Sequence, residues 1–390
     1  MQTYDWIVVG NGLAGAALSY ELAKVGQRVL LLDDANPDSG TRYSYGGIPD
    51  WAGTDALTRS LYRAGMERQR NLSSELGAET QFRELDLLLT ILPDQDPQAL
   101  AAQYAHCDRP PQLISPQEAQ ALEPQLDPGA IAAALTVRQG HVHPTATVAA
   151  YNQAFRRLGG QHFIIPVTGL VRLGAKVTGV TTSSQAYPAG NVVLAAGAYT
   201  RKLLQAVKLP LPLCFTHAEI IETPPLELSL RTLIMPAYSA RAELEEKARQ
   251  PQQADLWSEP GRAIAPPILD TGVIQFLDRS IRIGQISRLH TSLEPIADAA
   301  TSEALLREAI SAQMPTIKDV PGTWRHCLVS FTSDSLPLVG PVADVDGLHV
   351  FTGFTSPFAM LPPIAEQFAR WTEGTDWPLL ANLSPQRPLV

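Results

Sequence analysis

An α/β fold built on a doubly wound sheet is what this sequence predicts, and three adjoining features predict it. The apolar run Trp6-Ile7-Val8-Val9 reads as a buried strand. Gly10-Asn11-Gly12-Leu13-Ala14-Gly15 follows at once and opens onto a helix-like stretch, Ala16 to Val25. After a turn at Gly26, a second apolar run, Val29 to Leu32, ends on Asp33-Asp34. Strand, glycine loop, helix, strand and acid in this order form the dinucleotide-binding fingerprint.

Each part has a physical task. Gly10 permits the tight turn off the strand, Gly12 lets a pyrophosphate approach the backbone, and Gly15 lets the helix pack close to the sheet. The helix N-terminus offers N–H groups and a partial positive charge to the phosphates. Asp33 lies near the ~20 positions past the last glycine where an acid for the ribose hydroxyls is expected. An acid there favours a free 2′-hydroxyl, hence FAD or NAD over NADP. The motif does not separate FAD from NAD.

Composition narrows the class. The 390 residues suit about two domains with real cores. A net charge of −9 without a basic run argues against nucleic acid and anionic membrane as partners. Three scattered cysteines, Cys107, Cys214 and Cys327, form neither a disulfide framework nor a CxxC metal site. No apolar run reaches the ~18 residues of a membrane span, and the first strand begins too early to leave room for a signal peptide. A cytoplasmic protein is the expectation.

Further along, residues 35–40 read as a loop. Thr41 and Arg42 can approach a phosphate, and Gly46-Gly47 can pass close to a flat ring. Residues 54–77 have the spacing of a long amphipathic helix stopped by Gly77. Phe82 to Leu92 reads as one strand or a pair, Pro93 to Pro97 as a break, and Ala99 to Tyr104 as a short helix. Ser115-Pro116-Gln117-Glu118 starts a capped helix that ends at Leu122-Glu123-Pro124. Ala130 to Val137 is strand-like. His141 and His143 point the same way on an extended chain, but no third ligand accompanies them and no metal is expected.

A helix is expected over Thr145 to Leu158, and strands over His162 to Val167, Val177 to Thr182 and Asn191 to Ala198. From Leu209 the chain turns proline-rich (Pro210, Pro212, Pro224, Pro225, Pro236). Ala240 to Gln250 reads as a charged helix, solvated or acting as a lid or partner surface. Gly272 to Phe276 and Ser280 to Ile286 alternate like a hairpin about Asp278-Arg279. Ser302 caps an expected helix to Met314. Trp324 to Thr332 and Leu348 to Thr352 read as strands, and Pro363 to Gly374 as a closing helix.

These pieces, in this order, resemble the D-amino-acid oxidase superfamily of FAD-dependent oxidoreductases, which includes glycine oxidase and monomeric sarcosine oxidase. The likeness covers nearly the whole chain. It rests on the fingerprint, on Thr41 to Gly47, on Gly140 to Pro144 and on Val192 to Ala198. It rests most on Thr332-Ser333-Asp334-Ser335-Leu336-Pro337-Leu338-Val339-Gly340-Pro341 followed by Gly347 to Phe354. The resemblance chooses FAD. It implies an α+β whole: a Rossmann-like FAD domain (1–84, 142–208, 326–390) interleaved with a mixed or antiparallel-sheet substrate domain (85–141, 209–325).

By position, the resemblance gives the pyrophosphate to Gly10, Gly12, Leu13, Ala14 and Gly15, and the ribose to Asp33, with Asp34 beside it. Thr41 and Arg42 approach the phosphates, and Gly46 and Gly47 the flavin. Val167 sits by the adenine, while Ala195, Ala196 and Gly197 line the nucleotide. Gly353, Phe354, Thr355, Ser356 and Met360 approach the pyrimidine end. Tyr45, Ile48, Arg282, Val329 and Phe358 fall near flavin N5, where Arg282 would stand in for a cation that helps oxygen react; read by itself, Arg282 is an outward-facing strand arginine. Cys327 stands where the sarcosine oxidases carry a cysteine bonded to the flavin; read by itself, it is a buried, inert strand cysteine. The chemistry implied is oxidation of a CH–NH bond of an amine or amino acid by hydride transfer to N5, with O2 as acceptor.

Two departures bear on the substrate. Val329 replaces an arginine that pairs with the substrate carboxylate, and Met360 replaces a lysine that does related work; neither can bind a carboxylate. Pro357 and Phe358 narrow the usual glycine-rich turn. A bulkier or less acidic amine is therefore easier to accommodate. A dehydrogenase of an amine or 2-hydroxy acid serving a quinone or carrier, and a flavin-binding protein with a degraded substrate site, are the other readings.

Overall fold

The computed structural model describes residues 3–209, 211–238, 240–248, 256–259 and 261–387. The N-terminal pattern folds as β1 (Tyr4–Val9), α1 (Leu13–Lys24) and β2 (Val29–Asp33). Then come β3 (Gly47–Ile48), α2 (Ala56–Leu76), β4 (Arg83–Ile91), α3 (Pro97–Gln103), β5 (Gln112–Ile114), α4 (Pro116–Leu122), β6 (Ala133–His141) and α5 (Pro144–Arg157). The middle holds β7 (Gln161–Ile164), β8 (Val167–Leu173), β9 (Lys176–Thr182), β10 (Ala186–Leu194), α6 (Tyr199–Gln205), β11 (Cys214–Glu222), β12 (Leu233–Pro236) and α7 (Ala240–Ala248). The chain closes with β13 (Ile268–Gln275), β14 (Ile281–Arg288), α8 (Ala299–Gln313), β15 (Thr323–Phe331), β16 (Leu338–Pro341), β17 (Leu348–Thr352), α9 (Pro357–Thr372) and α10 (Leu380–Leu383).

The strands form two sheets. In the first, β17, β10, β1, β2 and β7 lie side by side in parallel, with β16 antiparallel at one edge and β9 and β8 extending β10. Alternation divides the apolar strands between two faces. Trp6, Val8, Val29 and Leu31 pack under α1, α2, α5 and α9, while Ile7, Val9, Leu30 and Leu32 pack against the β8–β9 arm and Leu204 of α6. Burial on both faces is what parallel strands require, and it explains their unbroken apolar runs. The second sheet runs β15-β11-β14-β13-β12-β4-β6-β3, with β5 on β6. It is antiparallel apart from the β12–β4 pair, and α8 covers it through Leu306 and Ile310. The α/β class with a mixed second sheet is thus the fold of the chain.

Several element ends differ from expectation, each for a local reason. Asp96 caps α3 and Pro97 takes its first position, so this proline opens a helix instead of breaking the chain. Asp298, not Ser302, caps α8 by accepting from Thr301 N–H at 2.8 Å; Ser302 is buried within the helix. Val167 begins β8, an unforeseen strand that continues past Gly169.

The closing helix begins at Pro357, six residues before the expected start, and contains Pro362 and Pro363. Proline supplies no N–H, so the Phe358 carbonyl four residues before Pro362 loses its helical donor. Gln69 of α2 supplies one: its Nε2 donates to that carbonyl at 2.8 Å. Gly65 lets the two helices meet there, since a Cβ on it would lie 1.7 Å from the Ala359 carbonyl oxygen.

Pro210 and the last two residues of the charged 240–250 segment lie outside the described residues, as do residues 1–2 and 388–390 of the expected nucleotide-binding unit. Among the described residues, no helix is long and apolar enough to cross a membrane.

Candidate active site

A cleft of about 1170 Å³ opens at the C-terminal ends of four parallel strands of the first sheet. Val9 to Ala14 after β1, Leu32 to Asp34 at β2, Ala195 to Tyr199 after β10 and Thr352 to Phe358 after β17 line it. That edge is where doubly wound sheets receive ligands. The cleft continues across the second sheet, past Leu87 and Leu89 of β4, Gln139 of β6, Ala218 and Ile220 of β11, Gln285 of β14 and Cys327 to Phe331 of β15.

At the first-sheet end the polar groups are arranged for a nucleotide. Asp33 accepts from Asn11 N–H at 2.6 Å and from Ala35 N–H at 2.7 Å, which fixes its carboxylate at the cleft. No side chain caps α1 at Gly12. Thr41 Oγ1 accepts from Leu13 N–H at 3.1 Å and so ties the following loop to the helix start. Asn11 Oδ1 is buried without a hydrogen-bond partner, and a Cβ on Gly197 would meet nothing within 4 Å. An orphaned acceptor, a helix start at which Thr41 takes only the Leu13 N–H, and an open glycine fit a dinucleotide with free ribose hydroxyls, and these residues could hold one.

Of the residues singled out in the sequence, Gly10, Gly12, Leu13, Ala14, Asp33, Asp34, Thr41, Tyr45, Gly47, Val167, Ala195, Ala196, Gly197, Cys327, Val329, Gly353, Phe354, Thr355, Ser356 and Phe358 line this one cleft. Six others do not. Gly15 packs against the Gly10 carbonyl, its helix-packing task. Arg42 points to solvent over the Tyr43 ring. Gly46, at φ +76°, is crowded by the Val142 carbonyl, which a Cβ would approach to 2.1 Å. Ile48 and Met360 are buried in the apolar core under the helices.

Arg282 is buried behind the cleft wall. Its guanidinium donates to the Ser44 carbonyl, lies 3.7 Å from Glu222 and sits 4.4 Å over the Phe276 ring. Burial lowers its pKa, against the pull of Glu222. His141 and His143 also pack on Phe276, at 5.3 and 4.8 Å between ring centres, and His143 caps α5 through Ala146 N–H. Burial pulls the His141 imidazole down to about 3, which keeps it neutral. Asp334, central to the C-terminal motif, faces away from the cleft: it holds Arg387 at 2.7 and 2.8 Å and accepts from Leu336 N–H.

The second-sheet end carries polar residues that the sequence reading did not single out. Trp51 Nε1 donates to Gln139 Oε1 at 3.0 Å, and Tyr104 donates to the Ala237 carbonyl at 2.5 Å. Arg241, Glu245 and Asp270 line the same end. The charged run 240–250 was the one signal for the first two, and charge alone does not show which way a helix faces. Burial pushes the Cys327 thiol up to about 12, although Arg241 and Arg282 draw it down. No group of three or more potential metal ligands occurs among the described residues.

Comparison with known proteins agrees with this geometry. Residues 5–371 match the family model described as FAD dependent oxidoreductase. Glycine oxidase of Pseudomonas aeruginosa is 28% identical over 370 residues, 92% of this chain and 91% of that protein. 4-Methylaminobutanoate oxidase (formaldehyde-forming) of Paenarthrobacter nicotinovorans is 24% identical over 94% of this chain but only 43% of its own length. The chain thus spans less than half the length of some curated relatives it matches, 43% and 44% in two of them. The solved glycine oxidase of Geobacillus kaustophilus superposes with a TM-score of 0.80 over the full length of both chains, at 19% identity. The chain belongs to the FAD-dependent oxidoreductase family, and its cofactor is FAD.

Proposed function

We propose that this family member oxidises a CH–NH bond of an amine or amino-acid-like substrate and that O2 takes up the electrons. The observation that carries the reading is the continuity of the cleft, from Asp33 and the α1 N-terminus past Gly353 to Ser356 and on to the second sheet. Its volume of about 1170 Å³ and its lining suit an extended dinucleotide with its ring end toward Tyr45 and Cys327. Flavin held there would supply a hydride acceptor at N5, and loss of a hydride from the neutral amine would leave an iminium ion that water hydrolyses. The protein's part is to hold and orient.

Gly10, Gly12, Leu13 and Ala14 offer backbone to the pyrophosphate, with Asp33 toward the ribose and Val167 toward the adenine. The segment Gly353 to Ser356 closes over the other end. It is anchored by Thr355, which donates to the Ser335 carbonyl at 2.9 Å, and by Tyr62, which donates to Ser356 at 3.1 Å. Tyr45 is half-buried, with its hydroxyl 3.4 Å from the Gly272 carbonyl, and desolvation raises its pKa, so it presents a neutral phenol to the cleft. Leu87, Leu89, Leu233, Ile220 and Val329 give the substrate end an apolar wall.

The test is an anaerobic screen of the holoenzyme with amines, amino acids and 2-hydroxy acids, read by loss of the oxidised-flavin absorbance. Bleaching by an amine or amino acid, reversed by air with oxygen uptake, is expected. Bleaching reversed only by a dye acceptor would replace the oxidase by a dehydrogenase. A flavin that no amine or amino acid bleaches would overturn the reading.

A further inference from the structure

The apolar substrate end holds one cation. Of the described residues lining the cleft, Lys202 and Arg241 alone are lysine or arginine, and Lys202 belongs to α6 beside the nucleotide end. Arg241 lies in the first turn of α7, about three-quarters buried.

Its surroundings fix the guanidinium without using it up. The backbone N–H donates to Asp270 Oδ2 at 3.1 Å, which sets the start of the helix. Nε donates to Glu245 Oε1 at 2.8 Å, one turn along the same helix. The Thr216 hydroxyl donates to that same oxygen at 3.3 Å. Thr216 and Val329 are direct partners across the β11–β15 pair, so their side chains share a face. The relay Thr216–Glu245–Arg241 therefore brings a guanidinium to the wall that Val329 leaves apolar.

The two terminal nitrogens, Nη1 and Nη2, have no hydrogen-bond partner among the described residues, and the side chain keeps 26% of its surface exposed. With Nε held from the side, the end of the planar fork is left for a bidentate acceptor. Burial disfavours the charge, but Glu245 and, more weakly, Cys327 and Asp270 together outweigh it, and Arg241 stays protonated. Burial raises the Asp270 carboxyl, while the Arg241 N–H and charge draw it down.

We propose that Arg241 binds the carboxylate of the substrate, so that helix α7 and not a strand of the second sheet carries the anchor. The assignment rests on the amine-oxidising reading for the word substrate, but the binding site itself stands apart from it. The class it selects is an amino-acid-like amine bearing a carboxylate.

The test titrates the flavin-loaded protein with acetate, propionate and benzoate while the flavin spectrum is recorded, beside acetamide and benzamide as uncharged controls. The wild type should show a saturable shift with at least one carboxylate and none with the amides. R241Q should weaken carboxylate binding about 10- to 100-fold, the range for losing a charge-assisted contact, with flavin content unchanged. R241K, which keeps the charge but loses the fork, should fall between. Equal affinity in R241Q and wild type, or no saturable shift with any carboxylate, overturns the proposal. Should R241Q lose its flavin, R241K decides: weakened carboxylate binding supports the anchor, and unchanged binding overturns it. These ligands do not react, so failure to find an oxidised amine sinks the proposed reaction and leaves this result standing. A reaction with carboxylate binding indifferent to Arg241 sinks the anchor alone.

Discussion

Replacing Gln69 with leucine should destabilise the protein, and replacing Pro362 with alanine as well should remove most of that cost. Gln69 is fully buried, and its Nε2 is the donor to the Phe358 carbonyl that Pro362 cannot supply. Leucine keeps the volume but leaves that carbonyl buried and unpaired, a loss of about 1–3 kcal/mol. Gln69 Oε1 itself has no partner, so its removal gives a little back and the lower half of that range is expected. Alanine at 362 restores an N–H four residues after Phe358, which can complete the helical bond in place of the amide. The Gln69→Leu cost should then fall by about 1 kcal/mol or more relative to the Pro362 background. Urea unfolding at fixed FAD, followed by tryptophan fluorescence, measures all four proteins; an unchanged denaturant slope licenses the comparison. An equal cost of Gln69→Leu in both backgrounds would refute the account of how α9 tolerates its prolines.

Three other outcomes follow from named groups. Asp33→Ala removes the acceptor of two backbone N–H groups, at 2.6 and 2.7 Å, and should weaken FAD retention about 10- to 100-fold; unchanged affinity by flavin-release titration would count against Asp33 as the ribose partner. Burial holds the Cys327 thiol protonated at about 12, and the thiolate is the reactive form. Flavin should accordingly leave on denaturation, with no fluorescent band on a denaturing gel and full flavin content in Cys327→Ser; a fluorescent band at the protein's mass would show a covalent link. His349, 7% exposed against Trp6 and Phe368, is held by burial at about 4. Its folded value lies below the unfolded one, so the native state binds fewer protons and stability falls as pH drops from ~6.5 toward 4, by up to ~3 kcal/mol. His349→Gln should flatten that part of the acid limb in urea midpoints taken across the range, and an unaltered limb would discard His349 as its source.

The fold was legible where one local rule acted alone. The β1–α1–β2 unit could be read because glycine spacing, apolar runs and the terminal acid agree, and each is a short-range feature. Ser115 and Glu118 form the capping box that their spacing announced. Element ends were misread where a distant partner decides. Pro362 and Pro363 stop a helix by every local rule, and the carbonyl that Pro362 leaves without a helical donor, Phe358, is met by Gln69, 289 residues away. Ser302 and Asp298 are both good caps; packing, which buries Ser302, chose between them.

The candidate site divides in the same way. Its nucleotide end is backbone and one carboxylate, set by a motif whose spacing leaves little freedom, and those residues converge on one cleft. Its substrate end is assembled from strands far apart in the chain, so a position names a residue without naming its direction. Arg282 looked like a cation for the cleft, yet its strand turns it toward Ser44 and Phe276. Arg241 looked like one charge in a solvated helix, yet Glu245 and Thr216 turn it inward. A strand residue keeps its face only while register is kept, and a charge on a helix can reach the same wall from outside the sheet. Losing a cation at Val329 therefore does not require losing carboxylate recognition. It requires a helix close enough to the β11–β15 wall to supply the charge, and a neighbour such as Thr216 to hold the relay in place.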